Sequence, residues 1–235
     1  TGAYISAGAH AGRIVLIGGF NGGDNTIDTS TIVYNPATNT WAAGPTLKAA
    51  RTYASAIPVA GGAKVFVTNG ANGELLDTAA GTSTLTTNTM SVSRSQPDVV
   101  MLSTGRVMVL GGNTATALTH YYDPATNAFS VAPSMPSARG SIASAVAGNL
   151  VLVAGGTDGV TSLASAVVFN TTTSTWSSTG AMAEARTGGL AAALLSGRIL
   201  VAGTATANTE IWDPVTGTWA SAGFLSRSRP GYSMV

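Results

Sequence analysis

The feature that most constrains this chain is an aromatic residue, a polar turn and a second aromatic seven residues later, repeated along its length. The pattern reads Tyr34-Asn35-Pro36 to Trp41, Tyr122-Asp123-Pro124 to Phe129, Phe169-Asn170-Thr171 to Trp176, and Trp212-Asp213-Pro214 to Trp219. A worn copy, Leu76-Asp77-Thr78 to Ser83, lacks both aromatics. Asn or Asp caps its own backbone and Pro presets φ, so each copy is a turn. The β-branched and aromatic flanks make its arms strands, and each copy is a hairpin.

Two further markers keep a fixed place around the hairpin. Before it runs an apolar strand that follows Gly and ends in a small pair: Gly12 to Gly18-Gly19, Gly105 to Gly111-Gly112, and Gly148 to Gly155-Gly156, with weaker copies at Asn69-Gly70 and Ala202-Gly203. Near-continuous apolar runs are expected of strands covered on both faces. After the hairpin comes Leu or Met and, four residues on, Arg: Leu47/Arg51, Met90/Arg94, Met135/Arg139, Met182/Arg186 and Leu225/Arg229. The arginines step by 43, 45, 47 and 43 residues. One more strand lies between each Arg and the next Gly-led strand, giving four per repeat, a to d, with no helical periodicity.

These residues resemble the kelch repeat, including its secreted bacterial and galactose-oxidase-like propellers. The resemblance spans essentially the whole chain. It implies an all-β, kelch-type β-propeller with five recognisable four-stranded blades around a central channel. The blades are expected at about 2–44, 52–86, 95–132, 140–179 and 187–221 of a single domain covering 1–235. The arithmetic does not close at the end, because residues 230–235 read as one more inner strand. Three explanations compete: truncation from a longer repeat protein comes first, self-association through 230–235 second, since an unpaired apolar strand is a template for strand addition between molecules, and irregular packing of the tail third. Trp41, Phe129, Trp176 and Trp219 are expected to wedge between blades, and the arginines to tie crossovers to the adjoining blade.

Composition narrows the function classes. Hydrophobic residues make up 45% of the 235, enough for a core, while charged residues are only 9% and the formal net charge is +1. No basic run offers a footprint for nucleic acid. The longest apolar stretch, Gly188 to Gly203, is too short and broken to span a bilayer. A Thr, Ser, Asn and Gly surface with two lysines, Lys48 and Lys64, is expected of an extracellular or cell-surface protein. The start at Thr1 without a signal-peptide pattern is expected of a processed, trimmed or fragmentary chain.

A search for chemistry finds no catalytic motif, metal site or cofactor site. There is no cysteine and there are only two histidines, His10 and His120, so the copper radical chemistry of galactose-oxidase-like relatives is excluded. Asp77, Asp123 and Asp213 are turn caps, and the loop with Asp24 and Asp28 matches no complete calcium motif. The expected function is a non-catalytic binding or structural module for protein or glycan. Its face would carry the d–a crossovers and b–c loops, with Asn21, Asp24, Asn25, Tyr53, Arg94, Gln96, Asn113, Arg139, Asp158, Arg186 and Asn208. The rival class is a carbohydrate-active propeller enzyme, of epimerase or lyase type, with its site at the channel mouth.

Overall fold

The computed structural model describes residues 1–23, 25–203 and 206–227. They form five four-stranded antiparallel sheets, each built from consecutive strands in chain order. Sheet 1 is β1 (Gly2–Ile5), β2 (Arg13–Asn21), β3 (Thr26–Asn35) and β4 (Thr40–Ala43). Sheet 2 is β5 (Ser55–Val59), β6 (Lys64–Asn69), β7 (Asn72–Asp77) and β8 (Thr82–Leu85). Sheet 3 is β9 (Asp98–Met101), β10 (Val107–Leu110), β11 (Thr119–Asp123) and β12 (Ala128–Ala132). Sheet 4 is β13 (Ala143–Ala147), β14 (Leu150–Ala154), β15 (Ala166–Asn170) and β16 (Thr175–Ser178). Sheet 5 is β17 (Leu190–Ala193), β18 (Ile199–Ala202), β19 (Asn208–Asp213) and β20 (Thr218–Phe224). The only helical turn among the described residues is the short 3-10 turn Ala60–Gly62. Arg229 and the expected extra strand 230–235 lie outside the described residues.

Two compact units make up the chain: Thr1–Val107 with His120–Val131, and Met108–Thr119 with Ala132–Val235. In the first, Ala3, Ile5, Val15, Ile17 and Val33 of sheet 1 pack on Val65, Val67 and Leu76 of sheet 2. On the other side of sheet 2, Phe66 stacks on Tyr122 with ring centres 3.7 Å apart. In the second unit, Ala143, Ala145, Leu152 and Val168 of sheet 4 pack on Ile199, Val201 and Trp212 of sheet 5. Small alanines on an inner strand let the facing sheet bring in its larger residues, which satisfies close packing without voids.

The repeated aromatics meet the sequence expectation in part: Phe129 lies edge-on to Phe66 of sheet 2 with ring centres 5.9 Å apart, and Trp219 packs on the core shared by sheets 4 and 5, whereas Trp41 is left exposed. In three of the pairs the first member carries the core: Tyr122 and Phe169 have no exposed surface and Trp212 has 1%, while Tyr34 is only partly buried. Of the second set, Phe129 is buried, whereas Trp176 and Trp219 are partly exposed and Trp41 is 54% exposed. Each of these three Trp residues sits beside its partner on the outer strand, as the registers Tyr34↔Trp41, Phe169↔Trp176 and Trp212↔Trp219 require. An indole N–H must keep a hydrogen bond when it is partly buried, and the outer strand supplies that chance. Trp176 Nε1 donates to Pro133 O at 2.7 Å, and Trp219 Nε1 to Gly180 O at 2.7 Å, carbonyls of the segments that leave the preceding sheets. Phe129 reaches back through its backbone, its N and O bonding the Asn88 side chain at 2.7 and 2.9 Å.

Sheet 1 has no preceding sheet within its unit. The face that carries Tyr4, Ile14, Leu16, Ile32 and Trp41 is correspondingly 39–55% exposed. The same face of sheet 5 is the one buried against sheet 4. The contrast gives a graded expectation: Phe169→Ala costs about 3–5 kcal/mol, as deletion of a fully buried ring does, and Trp41→Ala costs less than about 1 kcal/mol. Urea midpoints of the two variants check it, and equal losses would contradict this division of labour.

Candidate functional site

The d–a crossovers hold four buried arginines, Arg51, Arg94, Arg139 and Arg186, each 2–3% exposed. Each sits four residues before the inner strand of a sheet and touches two sheets at once. Its backbone carbonyl accepts from the loop of the preceding sheet. Gly19 N donates to Arg51 O at 2.9 Å, Gly70 N to Arg94 O at 2.6 Å, Thr116 N to Arg139 O at 3.3 Å and Gly156 N to Arg186 O at 2.7 Å. Its guanidinium meanwhile bonds the sheet that follows.

This contact explains the small pair that ends strand b. Gly18 and Gly155 have φ of +54° and +62°, and a Cβ on either would stand 2.4 Å from the carbonyl of Arg51 or Arg186. Only glycine combines that conformation with that approach.

Three of the four guanidinium groups find a partner on strand c, two residues before the first residue of the hairpin marker. In sheet 2 this position is Glu74, which is fully buried. Arg51 Nη2 lies 3.1 Å from Glu74 Oε1, and its other donors reach Asn69 O and Asn72 Oδ1, each at 3.0 Å. Glu74 also accepts from Lys48 N, Ala49 N and Ser83 Oγ at 2.5–2.9 Å. Burial lowers the Arg51 pKa, and the Glu74 carboxylate pushes back against that. In sheet 5 the position is Glu210, 3.1 Å from Arg186 Nη2 and bonded by Ala183 N at 2.7 Å. Glu184, the acidic neighbour of Arg186 in sequence, stands at a looser 3.9 Å.

In sheet 3 the equivalent residue is His120, whose Nδ1 lies 3.4 Å from Arg94 Nη2. Its Nε2 meets Ser91 N at 3.2 Å and Ser91 Oγ at 2.9 Å. Burial first, and the Arg94 charge second, push its pKa down to about 4. Burial also lowers Arg94, to about 10. In sheet 4 the position is Val167, and Arg139 turns instead to backbone: Nη1 to Gly155 O at 3.1 Å and Ser165 O at 2.7 Å, with Nη2 on Ser165 Oγ at 2.9 Å.

Three of the candidate ligand residues are thereby relocated. Arg94, Arg139 and Arg186 are interior ties whose Nη groups face strand c and the b–c loop, while the Nε of Arg139 and of Arg186 has no partner among the described residues, and they present no clamp to solvent. Asn208 is half-buried and its side-chain amide bonds Glu184. In the first unit Asn21, Asn25, Tyr53 and Gln96 are exposed, Tyr53 by 68%. Ser55 Oγ, at the start of β5, donates to Pro97 O of the next crossover. Asn113 and Asp158, in the second unit, are exposed. Asp158 caps its own turn through Val160 N, Thr161 N and Thr161 Oγ, and those bonds hold its carboxyl below the usual range. Asp24 lies outside the described residues.

Tyr53, Gln96, Ser141 and Gly188 share one repeat position, two residues after the arginine, and all have positive φ: 51°, 53°, 48° and 75°. The sequence showed no sign of this, because only the fourth of them is glycine. On the opposite end of the strands in the first unit lies a cavity of about 830 Å3, lined in part by Ser6, Arg106 and Asp123, which motif searching also passed over. Among the described residues no three His, Cys, Asp or Glu side chains gather as a metal site. No helix among them is long and apolar enough to cross a membrane.

His120 makes the clamp sensitive to acid. Its folded pKa lies below that of the unfolded chain, so the unfolded state binds the proton first and stability falls as pH drops from about 6.5 to about 4. The loss is expected to reach about 3 kcal/mol, by 1.36 kcal/mol per pKa unit. Denaturant midpoints from pH 7 to pH 4 check it. His120→Gln is expected to flatten that slope, and a slope unchanged in the variant would refute the assignment.

Residues 1–48 and 138–183 each match the kelch motif. The first match ends just past Leu47, and the second runs from the residue before Arg139 to just past Met182, so each contains one complete sheet. These matches support a kelch-repeat family, and the five four-stranded sheets are consistent with a kelch β-propeller. No curated protein matches the chain.

Proposed function

We propose that the chain is a non-catalytic binding module, extracellular or at the cell surface, that recognises a protein or a carbohydrate through the b–c loops and d–a crossovers. The observation that carries this reading is the division of labour on that face. Its buried ionisable groups serve structure: Glu74 and Glu210 are surrounded by donors, and His120 is held neutral between Arg94 and Ser91. A carboxylate so tied has no free lone pair or proton to offer a reaction, which disfavours epimerase or lyase chemistry at these residues. The exposed groups named on the face are amides, a phenol and the turn-capping carboxylate of Asp158, suited to polar recognition. Kelch domains generally mediate protein interactions, which agrees.

Tyr53 is the centre of the proposed surface. A bulky residue at positive φ is a costly placement, and such strain gathers at ligand-contacting positions. An exposed phenol offers a flat ring and a hydroxyl, useful against a sugar face or a peptide.

Tyr53→Gly separates function from stability, because glycine fits the left-handed backbone. The variant is expected to be as stable as the parent, or more stable by up to about 1 kcal/mol. Its binding on a glycan array, or on an array of extracellular protein domains, is expected to fall at least about tenfold, as for an interface anchor. Undiminished binding by the variant would refute the placement of the surface, and a parent chain silent on both arrays would refute the recognition reading itself.

A further inference from the structure

We propose that the cavity in the first unit, at the end of the strands away from the crossovers, binds an acidic saccharide with Arg106 as the carboxylate-recognising group. At about 830 Å3 it falls within the size range of small-molecule sites. Its walls come from separate sheets: Ser6 after β1, the turn Ala60–Gly62, the a–b turn that ends at Arg106, and the c–d turn at Asp123–Ala125.

The chemistry of those walls selects the ligand. The Arg106 guanidinium carbon lies 4.2 Å from the centre of the Tyr121 ring. Stacking on that ring holds the planar fork in place and leaves its N–H edges for a bidentate acceptor. The ion pairs seen among the described residues involve Arg51, Lys64 and Arg186, and none involves Arg106. The cavity thus contains a positioned cation without an ion-pair partner.

Asp123 stands on another wall, with Oδ1 occupied by Ala125 N at 2.8 Å and Oδ2 able to accept a hydroxyl proton. The hydroxyls of Ser6, Ser103 and Thr104 are exposed there, and Pro58 and Pro124 give apolar surface for C–H faces. One cation near one carboxylate suits a singly charged carboxylate better than a dianionic phosphate, which would meet repulsion from Asp123 with only one compensating charge. A carboxylate, several hydroxyls and apolar ring faces together describe a sugar acid.

This site shares no residue with the Tyr53 surface, so either can fail without the other. The experiment is titration calorimetry of the full chain with digalacturonate, and with galactobiose as its neutral counterpart. Digalacturonate is expected to bind, with affinity at least about tenfold lower in Arg106→Gln, the loss of a charge-assisted pair. Arg106→Lys, which keeps the charge but not the fork, is expected to recover only part of that loss. The thermal midpoints of both variants without ligand are expected to match the parent, which separates recognition from folding. No binding of digalacturonate up to about 10 mM, equal binding by Arg106→Gln, or equal binding of galactobiose would each overturn the proposal.

Discussion

The structure depends on one contact repeated at successive crossovers: an arginine whose carbonyl is held by the sheet before it and whose guanidinium is held by the sheet after it. Neither half works alone. The carbonyl can reach Gly19 or Gly156 only because the residue before each is a glycine in the left-handed region, where a Cβ would collide with it. The guanidinium can be buried only because strand c supplies acceptors, and an unpaired buried charge would cost several kcal/mol. Charged residues are scarce in this chain, and much of the buried part of that charge is spent here.

Such a device suits a fold made of similar sheets. Sheet 4 presents small side chains from its inner strand to sheet 5, as Ala143 and Ala145 do toward Ile199 and Trp212. Apolar packing of that kind is not directional and would tolerate sliding of one sheet on another. The arginine ties add direction. They are variable in detail, with Glu74 and Glu210 as ionic partners, His120 as a neutral one, and bare carbonyls around Arg139. The variation leaves the geometry of the tie in place while changing its electrostatics, and one consequence is the acid sensitivity at His120.

Much of this architecture could be read from residues. The Asn-Pro and Asp-Pro turns located the c–d hairpins, and the arginine step located the crossovers, because turn chemistry and repeat spacing are local properties. The partners of the arginines were harder to see. Glu184 adjoins Arg186 in sequence, yet Glu210 is nearer in space, because the register of β19 carries it under the crossover. The usable signal was the position two residues before the first residue of the hairpin marker, which is Glu before Leu76 and Trp212 and His before Tyr122. The exposure of Trp41, unlike the buried place of Phe129, was hidden for a related reason. Alternation along a strand tells which residues share a face, but not that strand d is the outer one, where Trp41 stays exposed and Trp176 needs a carbonyl for its N–H. The left-handed backbone at Tyr53 and Gln96 and the cavity beside Arg106 left no trace in composition or motif. They arise from how loops of different sheets meet.

The central claim is that the arginine and its strand-c acceptor act as one structural unit. A double-mutant cycle on Arg186→Met and Glu210→Gln, followed by denaturant midpoints at neutral pH, tests it directly. The two losses are expected to be strongly non-additive, with a coupling energy of about 1.5–3 kcal/mol, since removing either partner already abandons the other in the interior. Losses that add within about 0.5 kcal/mol would show that the two side chains contribute independently, and the clamp would not be what holds successive sheets in register.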